Sequence, residues 1–174
     1  MNIVDRFLAE SVDSSITKNG RRQSVKVFII KDNKILFLRI QEGCSGAGKW
    51  DLPGGGIEDN ENQKDAVIRK VDEETSLKIT NIKRLQEKTG KLDIPQNGTH
   101  NDWIFYIADA VNSDVNMKPS HCSCMHGRPE HNEYKWVDEE WQLDQMEMDD
   151  SFKRIARKLF RKFNKNNPTN KNKN

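Results

Sequence analysis

Long apolar runs are missing from this chain. The longest, such as "VFII" at 27–30, are strand-sized, well short of the roughly 20 residues that cross a bilayer. No membrane contact is therefore expected. Cysteine is scarce as well. Cys44, Cys122 and Cys124 are odd in number and suit no disulfide framework, which points to a reducing, cytoplasmic setting. The opening stretch "MNIVDRFLAESVDSS" carries acids and lacks an apolar h-region, so it does not read as a secretory signal. A large excess of one sign of charge is also absent. The net charge is +2, so composition alone gives no reason to expect a nucleic-acid partner. There is no internal repeat. What is present is a chain of 174 residues, 34% hydrophobic and 32% charged, which suits one folded domain with a real core.

The hydrophobic period changes along the chain. Ile3, Val4, Phe7 and Leu8 share a helical face, so residues 1–20 read as an N-terminal helical extension able to mediate a homodimer. From Ser24, "SVKVFII" and "ILFLRI" read as strands joined through Asp32-Asn33, a pair suited to a tight hairpin turn. "EGCSGAGK" is a small-residue loop, and "WDLP" a short strand leading into three glycines. Asn62 to Leu77 predicts a helix. "ITNIKRLQEKTGKL" and "NDWIFYIADAV" read as strands joined by the polar stretch Asp93 to His100. Asn112 to Asn132 is loop-like, and "EYKWVDEEW" is strand, then turn. Phe152, Ile155, Ala156, Leu159, Phe160 and Phe163 mark one stripe of a closing helix, with Asp150 or Ser151 as its cap. Residues 21–163 therefore form one mixed α/β domain, and 164–174 a polar tail expected to be disordered.

The stretch "WDLPGGGIEDNE" carries the chemistry. Glycines let something approach the backbone closely, and the acids that follow suit a hard cation with phosphate on its other side. On a helical wheel Val67, Ile68, Val71 and Thr75 form the core face, with Lys70, Glu73, Glu74 and Ala66 roughly opposite. Asn62 caps the helix, with Asp65 as its partner three residues on. A glycine backbone, Glu61 before the helix, and Glu73 and Glu74 upon it then converge on one point.

From Gly55 to Leu77 the sequence resembles the Nudix box, G-x5-E-x7-R-E-U-x-E-E-x-G-U, where U is a bulky aliphatic. Gly55, Glu61, Arg69, Val71, Glu73, Glu74 and Leu77 match in register, seven of nine defined positions. "GKWDLPGGGIE" is similar to the usual approach to the box, and "PEHNEYKWVDEEW" to the late Nudix strand, where an acid upstream of a Trp adds a metal ligand or a base. The resemblance implies an α/β/α sandwich around a mixed β-sheet. It implies Mg²⁺- or Mn²⁺-dependent hydrolysis of a nucleoside diphosphate linked to another group, or of a nucleoside triphosphate. By position, Glu74 and the carbonyl of Gly54 are implied metal ligands, and Glu73 binds directly or through water. Arg69 orients a helix glutamate, Glu61 has a supporting role, and Gly55 and Gly56 lie against substrate. Glu130 or Glu133 is the extra metal ligand or catalytic base.

Two positions depart from the pattern. Ser76 stands where the box has Gly, at a cost of roughly 1 kcal/mol if it takes the left-handed conformation. Lys70 stands where the box has a metal-binding glutamate, spaced to pair with Glu73 or Glu74. Three readings follow. Glu58, Glu130 or Glu133 supplies the missing carboxylate; Lys70 contacts substrate phosphate itself; or the domain is a catalytically silent fold that binds nucleotide or RNA. Elsewhere, His121, Cys122, Cys124 and His126 read as a flexible loop, with zinc as the sharper alternative. Lys153, Arg154, Arg157, Lys158, Arg161 and Lys162 read as the solvated face of a docked helix, in preference to a nucleic-acid or membrane contact. Trp103, Tyr134 and Trp141 read mainly as core, or else as platforms for a base.

Overall fold

The computed structural model describes residues 22–86, 91–96, 99–118 and 129–166, without the side chains of Arg22 and of 91–101. The expected N-terminal helix, the His121–His126 cluster and the tail from 167 onward lie outside the described residues. In chain order the elements are β1 (Arg22–Lys31), β2 (Lys34–Ile40), β3 (Trp50–Asp51), β4 (Gly54–Gly56), α1 (Gln63–Thr75), β5 (Ile79–Arg84), β6 (Lys91–Gln96), β7 (Thr99–Ala110), β8 (His131–Val137), a 3₁₀ helix (Glu140–Gln145) and α2 (Asp150–Asn166).

The strands form one mixed sheet with β3-β2-β1-β7-β5 as its path; β4 pairs with β1, β6 with β7 and β8 with β2. The β1–β7 pairing is parallel and the others are antiparallel. The hairpin between β1 and β2 turns at Asp32 and Asn33, both at positive φ (49° and 61°), the conformation these side chains tolerate best. The stretch from Asp93 differs from the expected loop. It is strand up to Gln96, and β7 resumes at Thr99.

Alternation on the central strands feeds two cores. Val25, Val27 and Ile29 join Leu36, Leu38, Ile104, Tyr106 and Ala108 against Ala66, Val67 and Val71 of α1. Phe28, Ile30, Phe37 and Phe105 face Phe152, Ile155, Ala156, Leu159 and Phe160 of α2. The result is the expected α/β/α sandwich. Each of these large side chains contributes roughly 1.5–3 kcal/mol through burial.

Three expectations change at the helices. Ile68 is 49% exposed, whereas Ala66 and Val67 are fully buried. The buried arc of α1 is thus turned by roughly 60° from the face read on the wheel, and its centre falls on Glu74. The cap of α2 is neither Asp150 nor Ser151: the Asp149 carboxylate accepts the Ser151 backbone N–H at 2.8 Å. That helix also runs on to Asn166, past the last apolar residue of its stripe, Phe163. Asn62 does cap α1, its side-chain oxygen accepting the Asp65 N–H at 2.9 Å. Ser76 closes the helix in the left-handed conformation (φ 58°, ψ 12°) and donates its hydroxyl to the Asn116 carbonyl.

Candidate active site

The glycine run becomes β4, laid antiparallel on β1 with Gly54 opposite Lys26 and Gly55 opposite Val25. A Cβ at Gly54 would lie 2.0 Å from the Val25 carbonyl oxygen, so the ladder requires glycine there. This close approach brings the Gly54 N–H to α1, where it donates to Glu74 Oε2 at 3.2 Å.

Glu74 is a carboxylate inside the protein, its side chain 11% exposed. Burial pushes its pKa up to about 8; the charges of Glu130 and Asp51 add to the rise, while Lys26 and the Gly54 N–H oppose it. His131 Nδ1 lies 3.9 Å from Glu74 Oε2. That imidazole is 4% exposed, its Nε2 has no hydrogen-bond partner among the described residues, and burial lowers its pKa to about 4. It is therefore neutral at ordinary pH. Behind this group lies the Lys26–Asp51 pair, with Lys26 Nζ 2.6 and 2.8 Å from the two Asp51 oxygens. The same ammonium sits 5.8 Å from the Trp103 ring centre and 6.0 Å from that of Phe152. Burial alone would lower the Lys26 pKa; Asp51 more than reverses that and leaves it raised.

Glu73 is held differently. Arg69 Nη1 approaches its Oε1 at 3.2 Å from one side, and Lys70 Nζ its Oε2 at 2.9 Å from the other. Burial raises the Glu73 carboxyl, but these two cations prevail and hold it below its ordinary value. Arg69 also grips the loop. Its Nε and Nη2 reach the two oxygens of Glu61, each at 2.7 Å, and Nη2 donates to the Gly56 carbonyl at 3.1 Å. This is the forked geometry that makes Arg–carboxylate pairs strong, and it pushes Glu61 below its ordinary value. Glu58 is an exposed outer partner of Arg69 at 3.4 Å.

The structure thus brings Gly54 to Glu74, sets Glu73, Arg69, Lys70 and Glu61 beside them, and leaves Glu130 near enough for its charge to act on Glu74. It does not bring Glu133 there. Glu133 pairs with Arg39 at 3.0 Å on the exposed side of β8. The cause is a register shift between β2 and β8: Arg39 faces Glu133 but Ile40 faces His131, which leaves Asn132 as an extra residue. The bulge reverses the alternation and turns His131 inward beside Glu74. Lys26, Asp51 and His131 were not singled out from the sequence. The signal for Lys26 is a charge set directly between Val25 and Val27 at the start of an apolar strand run. Of the aromatic candidates, Trp103 is core, 5.0 Å centre to centre from Phe152, whereas Tyr134 and Trp141 are exposed.

A hard divalent ion suits this donor set at Glu74: a desolvated carboxylate, raised further by Glu130 and Asp51, that among the described residues lacks a positive partner in contact. It does not suit a closed cage. Among the described residues no three His, Cys, Asp or Glu side chains are grouped to hold an ion, and both oxygens of Glu73 are already occupied.

Comparison with known proteins bears on the family and the fold. The model of the NUDIX domain matches residues 20–163. The chain is 26% identical over 131 residues to an RNA pyrophosphohydrolase of Pelagibacter ubique (strain HTCC1062), covering 67% of this chain and 76% of that protein. It is 25% identical over 118 residues to the asymmetrical bis(5'-nucleosyl)-tetraphosphatase of Rattus norvegicus, covering 67% and 75%. Among solved structures, a MutT protein from Methanosarcina mazei Go1 superposes with a TM-score of 0.59 at 26% identity, over 85% of this chain and 99% of that one.

Proposed function

The chain belongs to the NUDIX-domain family, and from that premise we propose that it hydrolyses a phosphoanhydride bond in a nucleoside diphosphate derivative or a nucleoside triphosphate, with Mg²⁺ or Mn²⁺. The observation that carries the reading is Glu74: a buried carboxylate at the metal-ligand position of the box, crowded by Glu130 and Asp51. The names of two relatives, an RNA pyrophosphohydrolase and a dinucleoside tetraphosphatase, support a phosphoanhydride in a nucleotide as the target.

Glu74 and the Gly54 carbonyl would hold the ion. When bound, it supplies positive charge to the diphosphate and acidity to a coordinated water. The chain does the rest. Gly56 has open space where a side chain would stand, so the diphosphate can lie along its backbone beside the Lys70 stem that covers Gly55. Arg69 locks that loop to α1 through Glu61 and the Gly56 carbonyl, which fixes the backbone against Glu74. Glu130 takes the proton of the attacking water as its oxygen bonds to phosphorus. The bridging P–O bond then breaks and the leaving phosphate departs with the electron pair. Lys26 and Asp51 set the charge behind Glu74. The cytoplasm fits such an enzyme, and among the described residues no helix is long and apolar enough to cross a membrane.

A second reading has its own observation. Lys70 neutralises Glu73, as a nucleotide-binding domain without turnover would tolerate. A nucleotide panel with Mg²⁺ and with Mn²⁺, read by phosphate and nucleotide release, separates the two. Hydrolysis is expected to fall at least 100-fold in Glu74→Gln. Turnover equal in the variant and the parent would remove the enzyme reading.

A further inference from the structure

The two adjacent glutamates on α1 are in opposite states. Glu74 is buried and, among the described residues, has no cation in contact; it feels Lys26 at a distance as well as the acids Glu130 and Asp51. Glu73 is saturated, with Arg69 on one oxygen and Lys70 on the other. Lys70 also lies along the glycine loop. A Cβ at Gly55 would stand 2.9 Å from Lys70 Cε, 3.0 Å from Cδ and 3.4 Å from Nζ, so the lysine stem lies flat on the glycine backbone. Its ammonium is thereby placed at the loop where a diphosphate would lie, and its side chain is 24% exposed, open to a ligand arriving from solvent.

We propose that Lys70 is this protein's built-in second cation: one divalent ion binds at Glu74, and the Lys70 ammonium takes the role of a further ion by pairing with the substrate diphosphate over Gly55. The inference rests on the metal-assisted reading of the site. The chemistry suits the residue. A lysine ammonium is a compact point charge that binds phosphate oxygens without needing a fork geometry. Its three protons let it hold Glu73 and a phosphate oxygen at once. Glu73 then serves to steer Lys70, and not to hold a metal. The acid at this position in the box would demand another ion; the lysine dispenses with it.

The test counts ions and measures diphosphate binding without turnover. Mn²⁺ is titrated into the protein, with free Mn²⁺ read by electron paramagnetic resonance, alone and with methylene diphosphonate. The parent is expected to take one Mn²⁺. Lys70→Met should also take one, but bind methylene diphosphonate at least 10-fold more weakly. Lys70→Glu should take at least one more ion and bind methylene diphosphonate well only at high Mn²⁺. If the parent takes as many ions as Lys70→Glu, or if Lys70→Met binds methylene diphosphonate as the parent does, the proposal is overturned. A parent that takes no Mn²⁺ would remove the metal reading, and this inference with it. Should Lys70→Glu fail to fold, judged by circular dichroism, the methylene diphosphonate affinity of Lys70→Met decides alone.

Discussion

Replacing Glu74 by Gln should make the metal-free protein more stable in mild alkali, although it removes a residue placed at the centre of the site. The Glu74 carboxyl has a pKa of about 8 in the folded chain against 4.5 when unperturbed. Folding therefore favours its protonated form. The associated stability is complete below pH 4.5 and is lost as the pH rises through 8. The whole span is worth about 5 kcal/mol. His131 acts in the other direction. Its pKa falls from 6.5 to about 4, so its contribution is present above pH 6.5 and lost as the pH drops through 4. Between 4.5 and 6.5 the two effects oppose each other; above 6.5 Glu74 acts alone. From pH 6.5 to 8.5, with EDTA present, the parent should lose about 2 kcal/mol and Glu74→Gln close to none. Urea unfolding followed by tryptophan fluorescence at three pH values measures both. Added Mg²⁺ should restore the parent at pH 8.5 and leave the variant unmoved, because only binding to the folded form stabilises. At pH 7 the parent should also release close to one proton per ion bound, measurable by calorimetry in buffers of different ionisation heat. A parent as flat as the variant across this window would refute the claim that Glu74 is an unpaired buried acid.

Other substitutions test the frame around that acid. Gly54→Ala and Gly55→Ala should differ sharply: the first meets the Val25 carbonyl at 2.0 Å and should cost on the order of 3 kcal/mol in urea unfolding, whereas the second meets only the flexible Lys70 stem and should leave stability within about 1 kcal/mol. Arg69→Lys loses the fork on Glu61 and should cost about 1–2 kcal/mol, with faster amide hydrogen exchange from Gly56 to Glu61; unchanged exchange there would count against Arg69 as the tie between loop and helix. Ser76→Gly should stabilise by about 0.5 kcal/mol, since relief of the left-handed serine exceeds the loss of its exposed hydroxyl bond to Asn116, and thermal unfolding reads the sign.

Local signals carried much of this fold. Asp32-Asn33 announced the hairpin, Asn62 and Asp65 the start of α1, and the box register set Gly54, Arg69, Glu73 and Glu74 side by side. What failed was information held by partners distant in sequence. The face of α1 was centred too far toward Ile68, because a wheel weights isoleucine above alanine, yet the sheet surface accepts the small Ala66 and leaves Ile68 in solvent. That His131 turns inward while Glu133 faces solvent depends on one bulged residue, Asn132, whose effect exists only once β8 is paired with β2. The cap of α2, Asp149, lies one residue before the pair the sequence suggests, since two acids and a serine in a row offer the same capping chemistry.

The charges missed in the sequence and the charge that departs from the box belong to one arrangement. The site concentrates Asp51, Glu61, Glu73, Glu74 and Glu130, a collection that self-repulsion would oppose without cations. Among the described residues the chain supplies Lys26 to Asp51, Arg69 to Glu61 and Glu73, and Lys70 to Glu73. Each sits within 3.2 Å of its acid, and none of these pairs includes Glu74. Evenly spread compensation would have left no preferred place for an ion. Compensation by these three cations leaves out Glu74 and Glu130, and on the proposed reading the divalent ion goes to the spot where the Gly54 backbone and the glycine loop meet α1.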